Sequence, residues 1–316
     1  MVATNSTFRP ELGVLAYEYS LEASRAGFIG RLVLPPFEVD LQAAQYPVIP
    51  ASALLEMQDT ARAPRSAYAR GDFEFDSADY YCREHGWEEP LDDVETRLYR
   101  RFFDAEVVAV QRATFMVLRD QERRVVNATI GNNELPSDAV DKAWTSYADA
   151  DPLADINKAK DHFRYSVGLT PNALVLDADI LRHVSMCDAV MDRIKYSAPG
   201  ALRGELTLEQ LKAYFGVPNI FVSNAVYNAA ARGAKVKVAT IWPRDRVLLA
   251  CVSSGGQDLR EPSLGRTFVW SEDSGQLTTE SYREEQTRSF IYRVRQCTDE
   301  CVQFAGAGYV LTGVTA

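Results

Sequence analysis

The chain is short of several things, and each shortage excludes a class of protein. In 316 residues there is no run of 18 consecutive apolar positions, so no helix is long and apolar enough to cross a bilayer. Five cysteines (Cys82, Cys187, Cys251, Cys297 and Cys301) are too scattered, and odd in number, for a disulfide framework. Histidine occurs three times, which leaves few side chains that change charge near neutral pH. Of 34 basic residues only 7 are lysine, and the first of them is Lys142. The opening residues, Met1 to Gly13, lack the basic-then-apolar layout of a signal peptide, which reads as a cytosolic product. Neither a P-loop, nor G-x-S-x-G, nor H-E-x-x-H is present, so those nucleotide, hydrolase and zincin chemistries lack their mechanical parts.

What remains is an ordinary globular composition, 47% apolar and 25% charged, long enough for about two domains on a ~150-residue scale. The net charge of −10 makes the surface as a whole repel nucleic acid and membranes. The arginine excess has two readings. Arginine offers a planar fork suited to carboxylates across interfaces, and GC-rich coding gives the same excess with no structural purpose.

The first thirty residues read as an arm. A β-like run follows, Arg31 to Phe37, whose Pro35-Pro36 pair bars a central strand position. From Tyr46 to Tyr81 the text is a long excursion that returns through Asp72-Phe73-Glu74-Phe75-Asp76, alternating at period two. This predicts a two-stranded flap with a charged tip holding Arg62, Arg65 and Arg70, and two strands alone need support. Leu91 to Ile130 contains neither Gly nor Pro, has Asp92, Asp93 and Glu95 at its start, and gathers Arg119, Arg123 and Arg124 near its end. With Val94, Leu98, Phe102, Ala105 and Ala109 as an apolar stripe, it predicts one helix on the order of 50 Å long.

Further on, Asp151-Pro152 opens a helix that stops before Gly168, and Ala173 to Leu176 is a short buried strand. One helix is expected to carry Leu181, Val184, Cys187, Met191 and Ile194, and a capping-box helix runs from Thr207 to Gly216. Ile220–Val222, Val247–Ala250, Thr267–Trp270, Thr278–Tyr282 and Phe290–Val294 read as strands. Helices and strands mix without βαβ alternation, which is α+β.

No catalytic, cofactor or metal constellation emerges. His183 and Cys187 share a helix face, but zinc needs three or four ligands. His85 falls in a charged turn and His162 on a polar face. Cys297 and Cys301, if extended, lie ~13 Å apart, beyond disulfide reach. Gly306-Ala307-Gly308 reads as a bend, and Glu284-Glu285 beside Arg283 as a salt-bridged surface.

The order of these elements resembles the major capsid protein of tailed bacteriophages. The residues that carry the likeness are Phe28 to Pro36, the flap with Arg62-Ala63-Pro64, the long helix, Leu264 to Phe268, Tyr282 to Glu285 before Arg293-Val294-Arg295, and Ala307 to Leu311. Together they span about residues 25–316. The resemblance implies a tailed-phage capsid fold: an N-terminal arm (1–30), an extended E-loop with flanking strands (31–85), a P domain with a spine helix (86–170), a central A domain (171–259), and a C-terminal β-rich segment returning to the P domain (260–316).

It also implies function. The expected role is a non-enzymatic shell subunit that self-assembles, as hexamers and pentamers, into an icosahedral head around double-stranded DNA. The alternative is an encapsulin-like compartment, which shares the fold and encloses cargo protein. The flap residues Arg62, Arg65, Arg70, Phe73 and Phe75 are the expected contact with a neighbouring subunit. A portal, a separately encoded scaffolding protein and a decoration protein over the joints are the implied partners, with DNA enclosed without sequence-specific binding and no membrane. The location implied is the virion, assembled in the bacterial cytoplasm. Some relatives weld the shell through a flap lysine, and residues 1–141 contain no lysine to do this.

Overall fold

In the computed structural model the described residues are 7–8, 27–50, 55–71, 75–99, 104–197, 206–231, 233–273 and 276–315. Strand β1 (Thr7–Phe8) pairs antiparallel with Glu280 and Ser281. The segment expected to be β-like from Arg31 instead coils first, as the helical turn α1 (Gly30–Val33). The cause is Glu122, whose carboxylate accepts the N–H groups of Ile29 (2.9 Å) and Gly30 (2.8 Å), donors that a helix start otherwise leaves bare. Extended backbone begins only at Pro36, where β2 (Pro36–Val39) lies at a sheet edge, as its proline requires.

The flap is real. β3 (Ala43–Val48) and β4 (Asp76–Tyr81) pair antiparallel from Ala43↔Tyr81 to Val48↔Asp76. The return strand starts at Asp76, and residues 72–74, which include Phe73, fall outside the described residues.

The region after the flap departs most from expectation. Arg83 to Asp92 is not a charged turn leading into a helix but a ten-residue strand, β5 (Arg83–Asp92), in register with Ser289 to Thr298. Pro90 is tolerated because, among the described residues, β5 has a strand neighbour on one side only. The single long helix is two: α2 (Asp93–Tyr99) and α3 (Ala105–Ala128). Asp104 caps α3 by accepting from Glu106 N (3.0 Å) and Val107 N (3.5 Å), a start signal hidden inside a run free of Gly and Pro. At 1.5 Å per residue α3 is about 36 Å long. Val94 and Leu98 of the supposed stripe are exposed, whereas Ala105 and Ala109 continue into Val110, Ala113, Val117 and Leu118, which pack α3 across Leu91, Tyr292 and Val294.

After β6 (Ser137–Ala139), α4 (Pro152–Ser166) begins at Asp151 as its sequence predicts, and β7 (Ala173–Asp177) is wholly buried. The expected helix through Cys187 is broken there into α5 (Ala178–Met186) and α6 (Asp188–Ser197), because Cys187 is extended (φ −66°, ψ 132°). α7 (Leu208–Phe215) carries the full Thr207–Gln210 capping box and ends at Gly216 in the left-handed region, φ 58°. Then come β8 (Asn219–Ser223), β9 (Val226–Asn228), β10 (Val238–Thr240), β11 (Arg246–Ala250), β12 (Gly265–Trp270), β13 (Thr278–Glu284), β14 (Ser289–Val302) and β15 (Gly308–Thr312).

Two sheets organise the body. One has the order β1-β13-β14-β12-β2, with β5 also on β14; the other has the order β6-β15-β11-β7-β8. The second is buried on both faces. Leu174, Leu176, Val247, Leu249, Tyr309 and Leu311 join the core under α4 to α7, while Ala173, Val175, Leu248, Ala250 and Val310 face α1 and the end of α3. That double burial is why its strands read as unbroken apolar runs.

Candidate functional site

The flap divides into an anchored base and a bare tip. At the base, Tyr80 stacks on Phe268 with ring centroids 4.6 Å apart, and Tyr46 lies 5.6 Å from the same ring. Tyr81 N donates to Asp299 Oδ2 (2.8 Å), and Cys82 N to Gln42 O (2.9 Å), which ties both legs of the flap together. Burial pushes the Cys82 thiol up to about 12, so it packs as a small apolar group.

The tip is different. Every residue from Leu55 to Gly71 is exposed, Met57 at 97% and Tyr68 at 71%. Arg62 Nε donates to Ser66 O (2.7 Å) and its guanidinium lies 4.6 Å from the Tyr68 ring centroid. Arg65 holds a left-handed φ of 70°, unusual for a residue with a side chain. None of Arg62, Arg65 and Arg70 pairs with a carboxylate among the described residues, although the chain carries ten more acids than bases. Phe75 is 61% exposed where the flap narrows into β4.

Several arginines elsewhere are engaged with carboxylates within the chain. Arg283 grips Asp93 in a two-pronged pair (2.9 Å each) and also meets Glu285 (2.9 Å). Arg295 holds Glu280 (3.0 Å) and Asp273 (2.6 Å); Arg293 holds Glu88 (2.6 Å). Arg124 on α3 pairs with Glu300 of β14 (2.7 Å) and with Asp120. These fasten strands to one another and to α3.

The candidate chemical groups are placed apart. His85 Nδ1 is 3.8 Å from Asp120, His162 lies against the Tyr309 ring, and His183 Nδ1 is 2.9 Å from Tyr147 Oη. The Cys187 thiol donates to the carbonyls of Trp144 and His183, and burial pushes it to about 11. All five cysteines are thiols, and no group of three metal-ligating side chains occurs among the described residues. Glu284 accepts from the Thr287 hydroxyl (2.6 Å). Gly306 is the middle residue of a 3-10 turn (Ala305–Ala307) and Gly308 follows it, where a Cβ would meet Leu135 and Leu264 at 2.7 Å.

One group escaped the sequence reading. Glu122 sits on the buried side of α3 and accepts from Ile29 N, Gly30 N and Trp242 Nε1 (2.6 Å). Its only signal was an acid at apolar spacing, four after Leu118 and three before Val125.

No protein-family model matches the chain. The chain is 29% identical, over 96% of each sequence, to the major capsid protein of Burkholderia phage BcepMu. Its fold matches a phage-related protein from Bordetella bronchiseptica with a TM-score of 0.71, 22% identity and 98% of each chain covered. A putative capsid protein of an Escherichia coli CFT073 prophage follows at TM-score 0.58, 10% identity and 98% and 99% coverage. The SrpI encapsulin of Synechococcus elongatus gives 0.54, 13% identity and 90% and 86% coverage. The chain is therefore a relative of phage major capsid proteins and has the α+β fold that they share with encapsulins.

Proposed function

We propose that the chain is a structural shell subunit that assembles with copies of itself into the capsid of a tailed phage. The observation that carries this reading is the end-to-end likeness to a phage major capsid protein, 29% over 96% of both chains. That 29% identity to a phage capsid protein is what favours a genome container over a cargo compartment, since the encapsulin, at 13%, shares the fold alone. The flap fits the role: a ribbon anchored at one end and bare for the seventeen residues from Leu55 to Gly71 is stabilised by lying on a neighbour.

Within this reading 31–85 is the E-loop, and Arg62, Arg65, Arg70, Phe73 and Phe75 touch the adjacent subunit. The P domain is built on α3 and the larger mixed sheet, and the A domain on the doubly buried sheet with α4 to α7. The net charge of −10 suits a wall that confines DNA without holding it. A portal, a separate scaffolding protein and a decoration protein are the partners such a head takes, with assembly in the host cytoplasm. Negative-stain electron microscopy of the purified chain tests the function directly. Closed shells of one diameter are expected; a monodisperse small oligomer under every assembly condition would refute it.

A further inference from the structure

The flap is not the only two-stranded ribbon with a bare surface among the described residues. β9 and β10 form a hairpin with Val238↔Asn228 and Thr240↔Val226 in register. Its ladder continues outward, with Ala229 N donating to Lys237 O (2.8 Å) and Lys237 N to Asn228 Oδ1 (3.0 Å). Alternation places Val226, Val236 and Val238 on one face, exposed at 41%, 72% and 64%. Three valines exposed on one side of a ribbon, among the described residues, mark a surface that something covers.

Charge points to the cover. From Gln210 to Arg244 there is no Asp or Glu, and five basic residues (Lys212, Arg232, Lys235, Lys237 and Arg244), in a chain of net charge −10. Lys235 and Lys237 are exposed and have no carboxylate partner among the described residues. The opposite bias lies between Glu134 and Asp155, with six acids and one lysine. Three of those acids are engaged inside the chain: Asp138 accepts from Tyr309 Oη (3.0 Å), Asp151 caps α4, and Asp155 accepts from Trp144 Nε1 (2.8 Å). Glu134 and Asp141, which bracket β6, are exposed and without side-chain partners among the described residues.

Lys212 and Arg244 are paired within the chain, with Glu209 (2.7 Å) and Asp179 (3.2 Å), but the hairpin's two lysines and β6 belong to opposite ends of one sheet. The hairpin leaves β8 after two residues, and β6 is the far edge of the order β6-β15-β11-β7-β8. Four strand spacings, about 19 Å, separate β8 from β6, and among the described residues no ion pair joins Lys235 or Lys237 to Glu134 or Asp141, so one copy does not join its own two surfaces. A second copy can. We infer that the 226–240 hairpin of one subunit seats on the β6 edge of the next, Lys235 and Lys237 facing Glu134 and Asp141, in a head-to-tail contact that repeats around a ring. Opposite ends of one element that complement each other give a heterologous interface, which closes when the rotation per step allows. The inference rests on the shell reading and names the contact through which copies join.

Reciprocal charge reversal tests it. K235E/K237E and E134K/D141K should each lower the assembled fraction at least ~10-fold by sedimentation, because like charges then face each other across the joint. Circular dichroism of the subunits should stay unchanged. The quadruple variant should restore assembly. Doubles that assemble like wild type, or a quadruple that folds but does not recover, overturn the contact. So does a K235E/K237E variant that assembles normally but retains less DNA, which would make the hairpin a nucleic-acid surface. Wild-type protein that forms no ring or shell at all overturns the shell reading instead, a separate result.

Discussion

Trp242 and Glu122 stand 120 positions apart and share a 2.6 Å hydrogen bond in the interior. The same carboxylate holds Ile29 and Gly30, so one side chain of α3 joins the root of the N-terminal arm to the loop before β11. Burial pushes this carboxyl above the ordinary range, against the opposing pull of Trp242 and the two backbone donors.

Replacing Glu122 by glutamine turns an NH2 group toward one of those donors and should cost about 1–3 kcal/mol. The sign of its pH dependence is fixed. A carboxyl that keeps its proton to higher pH when folded contributes fully below the ordinary glutamate range, and that contribution fades as pH rises through the elevated value. The gap between wild-type and E122Q subunits in chemical unfolding should therefore narrow as pH rises above the ordinary glutamate range. A gap that widens would contradict the assignment.

The flap tip should be an assembly element and not a folding element. R62E/R65E/R70E should block particle formation while leaving the subunit's circular dichroism and melting temperature unchanged, since exposed charges contribute only ~0–1 kcal/mol each to folding. Normal shells from this variant would remove the tip from the contact.

The base should behave in the opposite way. Phe268 is buried and carries both Tyr46 and Tyr80, so F268A should cost about 3–5 kcal/mol and release the flap. Limited proteolysis should then cut within 43–81 faster than in wild type, and equal cutting rates would show that the flap is held by something else.

Mature particles boiled in reducing detergent should run as one band near 35 kDa. Residues 1–141 offer no lysine amine for an amide weld, and the five cysteines are thiols that burial makes poor nucleophiles. A ladder of multimers would show a cross-link of another kind.

Elements with a chemical boundary marker were legible in the sequence. Asp151-Pro152, the Thr207–Gln210 box and Gly216 each satisfy or end a helix locally, and the buried strands announce themselves as apolar runs. The misreadings share a cause. β5 is half exposed and polar, and its strand character comes from fourteen-residue β14, some two hundred positions away, which no local pattern encodes. Asp104 looked like one more acid in a charged run, and the extended Cys187 at the helix break donates its thiol to Trp144 O, a partner no local pattern names. Of the site, the flap's exposed arginines were visible because charge is local, whereas the alternation expected over 72–76 falls mostly outside the described residues. The flap's seat on Phe268, and the role of Glu122, depend on partners that only the fold brings near.

β4 runs on into β5 through Cys82 alone, and β5 is bonded along ten register positions to β14. On the proposed contact, tension drawn along the flap by a neighbouring subunit would reach the body as a pull parallel to that ladder. Rungs loaded this way share the force and must fail together, whereas rungs peeled from one end fail singly. A wall stretched from within would thus meet its greatest resistance along the direction in which each subunit grips the next.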